Sequence, residues 1–332
     1  MIAPVSDTSY LQLVDPDTLD ELDRQLVHAL QLDARAPFSR IAEVLGTSDR
    51  TIARRYGRLR SAHRLRVVGL PSPKHLGLTD WFVRLRCTPD SATQIAAALA
   101  RRPDTSWVSL MSGGTEITCI ARTRGRSDAE GLLLHKLPRT PRLVSVTAHS
   151  LLHPMAGTAG WPGRMKALSD KQITELSWQP PPDAQAPAEP DESLLAALAE
   201  DGRAAFPDLS RATGWSESTV RRRLDQLRAE GTVYFDIDID PLLFGCASEA
   251  ILWLTVAPAE LRTVGAALAT HQEIAYAAAT TGPSNVVAFA VCRDGEALYD
   301  YLAGKLGALP GVLSAETAPV IRRVKRAGAP VG

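Results

Sequence analysis

The chain has few cysteines, no long apolar run and no excess of charge of either sign. Its four cysteines, Cys87, Cys119, Cys246 and Cys292, are scattered and form no CxxC motif or Cys/His cluster. We therefore expect buried, reduced thiols and no metal site. A bilayer-spanning helix needs about 18 or more consecutive apolar residues, and no such run is present. The N-terminal stretch also lacks a basic region followed by an apolar one, so we expect no signal peptide, no membrane contact and a cytoplasmic location.

The charge is balanced, with 37 lysines and arginines against 37 aspartates and glutamates. Net charge therefore indicates no partner, and any surface for nucleic acid has to be local. Hydrophobic residues make up 45% of the 332 residues and charged residues 22%, which is typical of a folded globular protein. A chain of this length can bury two or more separate cores.

The sequence repeats itself after 168 residues. The segments that begin at Asp23 and Asp191 match at 15 of 38 positions without a gap. The matched pairs include Asp33/Asp201, Arg35/Arg203, Phe38/Phe206, Gly46/Gly214, Ser48/Ser216 and Thr51/Thr219. With a shift of one further residue, SLMSGGTEITCIA in the first half aligns with AATTGPSNVVAFA in the second. The chain is therefore predicted to be an internal duplication.

Each repeat begins with a pattern typical of a helix-turn-helix unit. In the first repeat the apolar spacing predicts helices over 19–32 and 39–45, a left-handed turn at Gly46, and a third helix that Ser48 caps. The β-type runs HRLRVVG and EGTVYFDIDID that follow the two units are suited to wings. The rest of each repeat has the order βαββαβ, which is typical of a ferredoxin-like domain.

The predicted fold class is thus α+β, a tandem repeat of a winged helix-turn-helix and a ferredoxin-like domain. Composition shifts set the expected boundaries. They are 1–18 for a flexible N-terminus, 19–70 and 191–240 for the winged units, 75–152 and 246–326 for the α+β domains, and 153–190 for a linker. Glycines and prolines fill both ends of that linker. In its middle, Ser169 and Gln172 have the spacing of a capping box, so we expect a short helix there that docks.

The third helix of each unit carries the candidate DNA-binding residues. With Ile52, Tyr56 and Leu59 inward, three arginines of the first copy, Arg50, Arg54 and Arg58, fall on or near the opposite face, and Thr51 and Arg55 fall on a flank. Arginines placed in this way can bind guanine and phosphates. The candidates are Arg50, Thr51, Arg54, Arg55, Arg58 and Arg64 in the first copy and Thr219, Arg222 and Arg223 in the second.

The two copies differ in charge. From Ser39 to Arg66 there are eight arginines and two acidic residues, a net charge of +6, whereas the matching stretch from Pro207 to Tyr234 has a net charge of +1. Because phosphate neutralisation dominates affinity, we expect the first copy to bind DNA more strongly. Replacing Arg54 and Arg55 by alanine should therefore weaken DNA binding more than replacing Arg222 and Arg223. Equal losses at fixed salt would contradict this expectation.

Taken together, these segments resemble the Lrp/AsnC (feast/famine) family of transcriptional regulators. The resemblance rests on LDELDRQLVHALQLDAR, GTSDRTIARRYGRLR and the βαββαβ order, and it covers nearly the whole chain. It implies that the α+β domains pair sheet to sheet. It also implies that a small effector, often an amino acid, binds near the turn between the second and third strands, which usually reads Gly-x-x-Asp in the family. The corresponding residues here are Gly113, Gly114 and Glu116 in the first copy and Gly282 and Asn285 in the second, so neither turn carries the aspartate.

Two other functions remain open from the sequence. Sirohaem decarboxylases are similar to Lrp/AsnC proteins and also occur as fused pairs, but their HNYxR…NxWF type of segment is absent here, and His149 and His153 do not converge in a strand. A protein-interaction module that has lost DNA binding would suit the second copy. We expect no cofactor, no catalytic residue and double-stranded DNA as partner. The two sheets can pair within one chain as a pseudo-dimer or between chains.

Overall fold

The structure is a computed structural model that describes residues 19–62, 64–72, 76–157, 161, 163, 166–181 and 191–327. The predicted flexible N-terminus, 1–18, and parts of the predicted linker lie outside the described residues. The described chain contains two helix-turn-helix units and two α+β units, so the predicted fold class is confirmed.

The helix-turn-helix units have three helices each, followed by one strand. In the first unit these are α1 (Glu21–Leu32), α2 (Phe38–Leu45), α3 (Asp49–Ser61) and β1 (Leu65–Pro71). In the second they are α7 (Glu192–Glu200), α8 (Phe206–Thr213), α9 (Glu217–Ala229) and β6 (Val233–Ile239). Gly46 and Gly214 adopt left-handed conformations, with φ of 65° and 74°, and each ends its second helix as predicted.

The α+β units follow the predicted order. The first consists of β2 (Leu78–Cys87), α4 (Ala92–Ala100), β3 (Thr105–Met111), β4 (Glu116–Arg124), α5 (Gly125–Ala129) with a π-helical extension over Glu130–Lys136, and β5 (Leu143–Ala156). The second consists of β7 (Ser248–Val256), α10 (Leu261–Thr270), β8 (Ile274–Thr280), β9 (Val286–Cys292), α11 (Gly295–Tyr301) with an extension over Leu302–Leu306, and β10 (Val312–Arg323). Short helix α6 (Asp170–Leu176) lies between the repeats.

The two runs predicted as wings pair with each other. Strands β1 and β6 form an antiparallel two-stranded ribbon, in which Leu65 lies opposite Ile239 and Pro71 opposite Val233. At the centre of the ribbon Val68 lies opposite Asp236, the residue that occupies its place in the second repeat. Each run supplies only one strand, and a lone strand leaves its backbone groups unpaired, so the other copy completes the ladder. A pseudo-two-fold axis therefore passes through the middle of the ribbon.

The eight remaining strands close into one barrel, in the order β10-β3-β4-β2-β5-β8-β9-β7. Within it, each repeat keeps its ferredoxin-like sheet, and the two sheets are joined at both edges. At one edge Leu151 pairs with Thr280, and at the other Val320 pairs with Met111, which are the same positions of the opposite repeats. The two sheets thus pair within a single chain, which makes the molecule an intrachain pseudo-dimer.

The barrel interior is packed where the two sheets face each other. Phe82 of the first sheet lies in edge contact with Trp253 and Phe289 of the second, at ring-centroid distances of 6.3 and 6.1 Å. Met111 and Ile251 beside them are fully buried. An open four-stranded sheet leaves one face without helices, and here the other repeat covers it.

The predicted linker has more structure than expected at its N-terminal end, and its middle contains the predicted helix. Strand β5 continues to Ala156, four residues into the range predicted as linker, because β8 extends the ladder there. Helix α6 begins with the predicted capping box between Ser169 and Gln172, and both of its hydrogen bonds are present. The helix docks on the first helix-turn-helix unit, where Leu176 is fully buried in the core and Gln172 donates to the carbonyl of Val44.

Among the helices of the described residues, none combines the length and the hydrophobicity that a membrane span requires. The four cysteines are free thiols, and Cys87, Cys119 and Cys292 are buried in strands. Burial raises the pKa of the Cys119 thiol to about 12, so that group is protonated at neutral pH.

The core of the first helix-turn-helix unit contains a histidine that the second unit replaces by alanine. His28 is fully buried, and within the part of the chain that the structure describes neither of its ring nitrogens has a hydrogen-bond partner. This burial lowers the pKa of His28 below its ordinary value of 6.5, because the charged ring would be desolvated.

Acid is therefore expected to destabilise the first unit through His28. As the pH falls below about 6.5, the unfolded chain takes up a proton that the folded unit resists, and up to about 1.4 kcal/mol of stability is lost per pH unit. Thermal unfolding between pH 7.5 and 5.5 should show this loss for the wild type and a smaller one for His28→Leu. Identical pH profiles for the two proteins would contradict the assignment.

Candidate nucleic-acid interface

Helix α3 is fixed by its buried face and its N-cap. Ile52, Tyr56 and Leu59 are buried, and the Ser48 hydroxyl accepts a hydrogen bond from the backbone N–H of Thr51 at 3.1 Å. Residues three and four positions apart share a face of a helix, so the opposite side is held toward solvent. Arg54 lies on that outer side.

Two arginines of α3 are available to a ligand. Arg50 and Arg54 are exposed, and within the part of the chain that the structure describes neither guanidinium makes a hydrogen bond or ion pair. Arg50 lies in the first turn and Arg54 one turn later, which places two guanidinium groups along one line of the helix. Such a line can enter a major groove and contact base edges and phosphates.

Arg55 and Arg58 are tied to α1 by an ion-pair cluster. Asp23 is almost fully buried, with 1% of its side chain exposed, and it accepts hydrogen bonds from Arg55 at 2.9 Å and from Arg58. Arg55 also bonds to Asp20 at 2.6 Å, and these bonds to Asp20 and Asp23 raise its pKa. The structure therefore places Arg55 in a supporting cluster, whereas Arg58 remains half-exposed at its rim. The repeat itself held a clue, because Asp23 and Arg55 are matched together by Asp191 and Arg223.

Three other predicted DNA-binding residues, Thr51, Thr219 and Arg64, lie at the ends of the two helices. The hydroxyl of Thr51 bonds to Ser48 at 2.8 Å, and that of Thr219 bonds to Ser216 at 2.9 Å, so both threonines contribute to the N-caps of their helices. Arg64 is half-buried at the entrance to the ribbon. These three side chains therefore lie at the ends of the helices and not on their outer faces.

Helix α9 has fewer exposed, unpaired arginines than α3 among the described residues. Val220, Leu224 and Leu227 are buried, and Arg222 is exposed with no partner for its guanidinium among the described residues. Arg221 lies over the Phe206 ring at 4.0 Å, and Arg223 is half-buried near the Trp215 ring. On the outer faces of the two helices, the difference in local charge is therefore small: α3 has two arginines without a partner among the described residues, and α9 has one.

The two helix-turn-helix units are joined by a reciprocal arginine exchange. Arg35 donates to the carbonyls of Gly202 and Ala204 at 2.6 and 2.9 Å. Arg203, its counterpart, donates to the carbonyls of Ala34 and Ala36 at 2.5 and 3.0 Å. Each arginine also lies over a ring of the other unit: Arg35 over Phe206 at 5.0 Å and Arg203 over Phe38 at 4.5 Å.

Ion pairs repeat the same exchange at the ends of the third helices. Asp33 pairs with Arg228 at 2.8 Å and Asp201 pairs with Arg60 at 2.7 Å. The first of these pairs is largely buried, since the side chains are 6% and 11% exposed. The aspartates, arginines and phenylalanines that the two repeats share therefore build the contact between them, and sequence reasoning had used them only to detect the repeat.

The predicted effector turn of the first copy is closed by ion pairs. Gly113 and Gly114 form its left-handed bend, with φ of 69° and 84°. Glu116 is buried and binds Arg84 through both carboxylate oxygens, at 2.8 and 3.0 Å, and Arg86 through one. Glu116 stands at the position of the family's aspartate, and its carboxylate is thus already bonded to two arginines.

The corresponding turn of the second copy is occupied by backbone. The side-chain amide of Asn285 accepts from the N–H of Val256 at 2.8 Å and donates to its carbonyl at 2.7 Å. Gly282, with φ of 110°, lies against the His149 ring, which leaves no room for a side chain. The side chains of Glu116 and Asn285 thus both have partners within the protein, and effector binding at these two turns stays a prediction.

Family models and known proteins match parts of this chain. The model of the AsnC-type helix-turn-helix domain matches residues 19–60 and 189–228, and that of the Lrp/AsnC ligand binding domain matches residues 249–330. An uncharacterized HTH-type transcriptional regulator of Pyrococcus abyssi is 31% identical over 139 residues, which cover 42% of this chain and 87% of that protein. The HTH-type transcriptional regulator FL11 of Pyrococcus horikoshii is 30% identical over 136 residues, which cover 41% and 89%.

A solved structure shares the fold over nearly the full length. The siroheme decarboxylase NirDL superposes with a TM-score of 0.59 and covers 92% of this chain and 93% of its own, at 12% sequence identity. At that identity the likeness concerns the fold alone. The matched domains, the regulators that align with a single repeat and the paired helix-turn-helix units agree, and the chain belongs to the Lrp/AsnC family.

Proposed function

We propose that this chain is a sequence-specific DNA-binding transcriptional regulator that carries both DNA-reading units of a dimer in one polypeptide. The observation that supports it most is the reciprocal clamp, by which we mean the contacts that Arg35 and Arg203 make with the opposite helix-turn-helix unit. This clamp fixes the position of α3 relative to α9, and both helices carry exposed arginines. Dimers of helix-turn-helix proteins bind two half-sites, and one recognition helix reads each half-site in the major groove. Such a regulator acts where the chromosome is, and we expect it in the cytoplasm.

The expectation that the first copy binds DNA more strongly than the second can be tested with single substitutions. Replacing Arg54 by alanine should weaken binding to a duplex selected by the wild-type protein about tenfold, since one base or phosphate contact contributes about 1–3 kcal/mol. Arg222→Ala should cost less, because α9 has no second unengaged arginine beside it. Arg126→Ala, exposed on α5 of the first α+β unit, is the matched control. Gel-shift titrations at fixed salt measure all three, and a larger loss for Arg222→Ala would contradict the ranking.

Single substitutions are needed because Arg55 has a second role. Changing Arg54 and Arg55 together would remove a surface contact and also leave the buried Asp23 short of a partner. The loss of DNA binding would then include a loss of folding. Thermal unfolding of Arg54→Ala should match that of the wild type, which separates the two causes.

The full-length likeness to a siroheme decarboxylase favours one second candidate, an enzyme of that kind. Sirohaem carries many carboxylates, and a site for it needs cations that are not already engaged. One large cavity, between the ribbon and the barrel, is lined by four cations, and each of them is bonded to another protein group: Arg122, Arg323, Lys325 and Arg326. We therefore propose a non-enzymatic protein. Adding sirohaem to the purified chain tests this directly: an unchanged Soret band supports it, and a shifted band with saturable binding favours the enzyme.

A further inference from the structure

A large cavity lies between the ribbon and one end of the barrel. Its volume is about 1240 Å³, and residues of the ribbon, of helix α7 and of the barrel strands line it. Sites for small organic molecules usually measure about 300–1,000 Å³, so this space is sufficient for one. None of the five candidate residues of the two predicted effector turns lines the cavity, which is therefore a separate site.

The barrel side of the cavity is an aromatic wall. Trp107 of β3, Tyr276 of β8 and Phe289 of β9 line it, and the rings of Tyr276 and Phe289 lie at a centroid distance of 5.7 Å. Trp107 and Tyr276 occupy matched positions of the two repeats, so both copies contribute to the wall. Side chains of this kind pack well against the face of another aromatic ring.

The backbone of Trp107 has an unusual conformation. Its φ of 53° lies in the left-handed region, which a bulky residue rarely adopts, and the pairing of β3 with β4 is irregular between Ser106 and Ser109. Irregularities of this type re-aim a side chain, and strained residues collect at binding sites. The conformation of Trp107 therefore points to a role for its indole beyond the pairing of two strands.

The charged groups deep in the lining are bonded to one another. Three ion pairs lie within the lining itself: Arg122 with Asp80, Arg326 with Asp238 and Arg323 with Glu249. The neighbouring Arg102 engages two more groups, since its guanidinium pairs with Asp104 and its carbonyl accepts a hydrogen bond from Lys325. Cations and carboxylates are thus engaged alike.

The other charged or titratable lining groups do not change this balance. Asp236 accepts a hydrogen bond from the N–H of Ile237 at 2.8 Å. Glu200 and His153 are exposed, so water reaches both side chains. Among the described residues of the lining, no cation and no buried carboxylate is therefore left without a partner.

The polar groups that remain available are neutral. The hydroxyls of Tyr276 and Tyr234 and the indole N–H of Trp107 make no hydrogen bond within the part of the chain that the structure describes, and all three side chains line the cavity. Burial raises the pKa of Tyr276 above its ordinary value of 10, so its hydroxyl stays protonated and can both donate and accept. The cavity thus offers hydrogen bonds without charge.

We infer that this cavity binds a neutral, planar aromatic molecule that carries a hydrogen-bonding group on its edge. The ring packs on the aromatic wall, and the edge group bonds to the tyrosine hydroxyls. An ionised ligand of either sign would lose its hydration and meet no unengaged opposite charge. The ligand contacts the barrel and the ribbon together, and each strand of the ribbon directly follows a helix-turn-helix unit. Binding itself does not depend on the proposed DNA function.

Calorimetric titration of the full chain with four probes that share the indole ring tests the inference. Indole-3-acetamide is neutral and has an amide on its edge, tryptamine is positive, indole-3-acetate is negative, and 3-methylindole is neutral without the amide. We expect the acetamide to bind at least about tenfold more tightly than tryptamine and than the acetate, because each charged probe gives up hydration without gaining an ion pair. Equal or tighter binding of either charged probe, or no binding by any of the four, would overturn the inference.

A filled cavity locates the site. Ala199→Trp places a large side chain in the lining from α7 and should abolish binding of indole-3-acetamide. Ala212→Trp, exposed on α8 outside the lining, is the matched control and should bind it as the wild type does. Unaltered binding by Ala199→Trp would contradict the location.

Removal of one hydroxyl tests the hydrogen bond. Tyr276→Phe keeps the ring, so it should weaken indole-3-acetamide several-fold and leave 3-methylindole unchanged, which a general disturbance of the fold would not do. Tyr299→Phe, exposed on α11 outside the lining, is the matched control. Equal affinity of Tyr276→Phe and the wild type for the acetamide would contradict the role of this hydroxyl. No DNA is present in these titrations, so their outcome is separate from that of the DNA-binding tests.

Discussion

Replacing Arg35 and Arg203 together by alanine is expected to uncouple the two helix-turn-helix units and to lower the stability of that half of the molecule. Each arginine donates two hydrogen bonds to backbone carbonyls of the other unit and covers an aromatic ring. A hydrogen bond from a charged group contributes about 1.5–3 kcal/mol, so we expect a loss of about 3 kcal/mol for each substitution. The exposed Arg211→Ala is the matched control and should cost almost nothing.

The charge of these arginines persists at neutral pH. Burial, followed by repulsion from Arg203, lowers the pKa of Arg35 to about 10, which still leaves the guanidinium protonated. The double variant should therefore melt at a lower temperature at every pH from 6 to 8. It should also bind a two-half-site duplex less tightly than a protein whose units stay clamped, because each unit would then have to find its half-site separately. A double variant with wild-type melting and DNA affinity would show that the clamp contributes nothing.

The second large effect is expected at Asp23. Asp23→Asn keeps the size of the side chain but removes the charge that two arginines share, and Arg55 is left half-buried without its full partner. Breaking a buried ion pair from one side costs about 3–5 kcal/mol, so the first helix-turn-helix unit should lose most of its stability. DNA binding should be lost with it, since α3 is held against α1 through this cluster.

The second repeat supplies a matched control for Asp23. Asp191 occupies the same position, where it accepts the backbone N–H of Leu194 and caps α7. Asparagine caps helices about as well as aspartate, so Asp191→Asn should change stability by only a few tenths of a kcal/mol. Chemical denaturation followed by circular dichroism measures both variants. Equal, small losses for the two would contradict the role given to the Asp23 cluster.

Local patterns predicted the elements of this fold well. The apolar spacing placed Ile52, Tyr56 and Leu59 on the buried face of α3, and the left-handed glycines ended α2 and α8 as expected. The capping box at Ser169 located α6 inside the predicted linker. These features depend on residues within one or two helical turns of each other, which is the range that a single sequence reports directly.

Long-range pairings could not be read in the same way. The runs taken for two wings form one ribbon, and β5 extends to Ala156 because a strand of the other repeat pairs with it. Arg55 has the same helical position as a DNA-reading residue would, and only its distance to Asp20 and Asp23 shows that it supports α3. Asn285 likewise lies in the expected turn, but its amide is bound to the backbone of Val256. In each case the deciding partner lies far away along the chain.

The asymmetry of the two copies bears on the DNA that they would read. A perfect palindrome suits two identical reading helices, whereas α3 and α9 differ at Arg50, which is matched by Ser218, and at Arg58, which is matched by Gln226. We expect the preferred site to have two unequal half-sites, with the stronger one bound by α3. A regulator whose dimer is fixed within one chain can evolve its halves independently, which two identical subunits cannot do.

The central claim is that one chain supplies both reading units, and the stoichiometry of a footprinted complex tests it most directly. A labelled duplex containing the selected site would be footprinted, and the mass of the same complex would be measured by sedimentation. One chain should protect two neighbouring major-groove segments about one helical turn, or 34–36 Å, apart. Oligomers should protect two such segments for every chain bound. Protection of a single segment per chain would contradict the account.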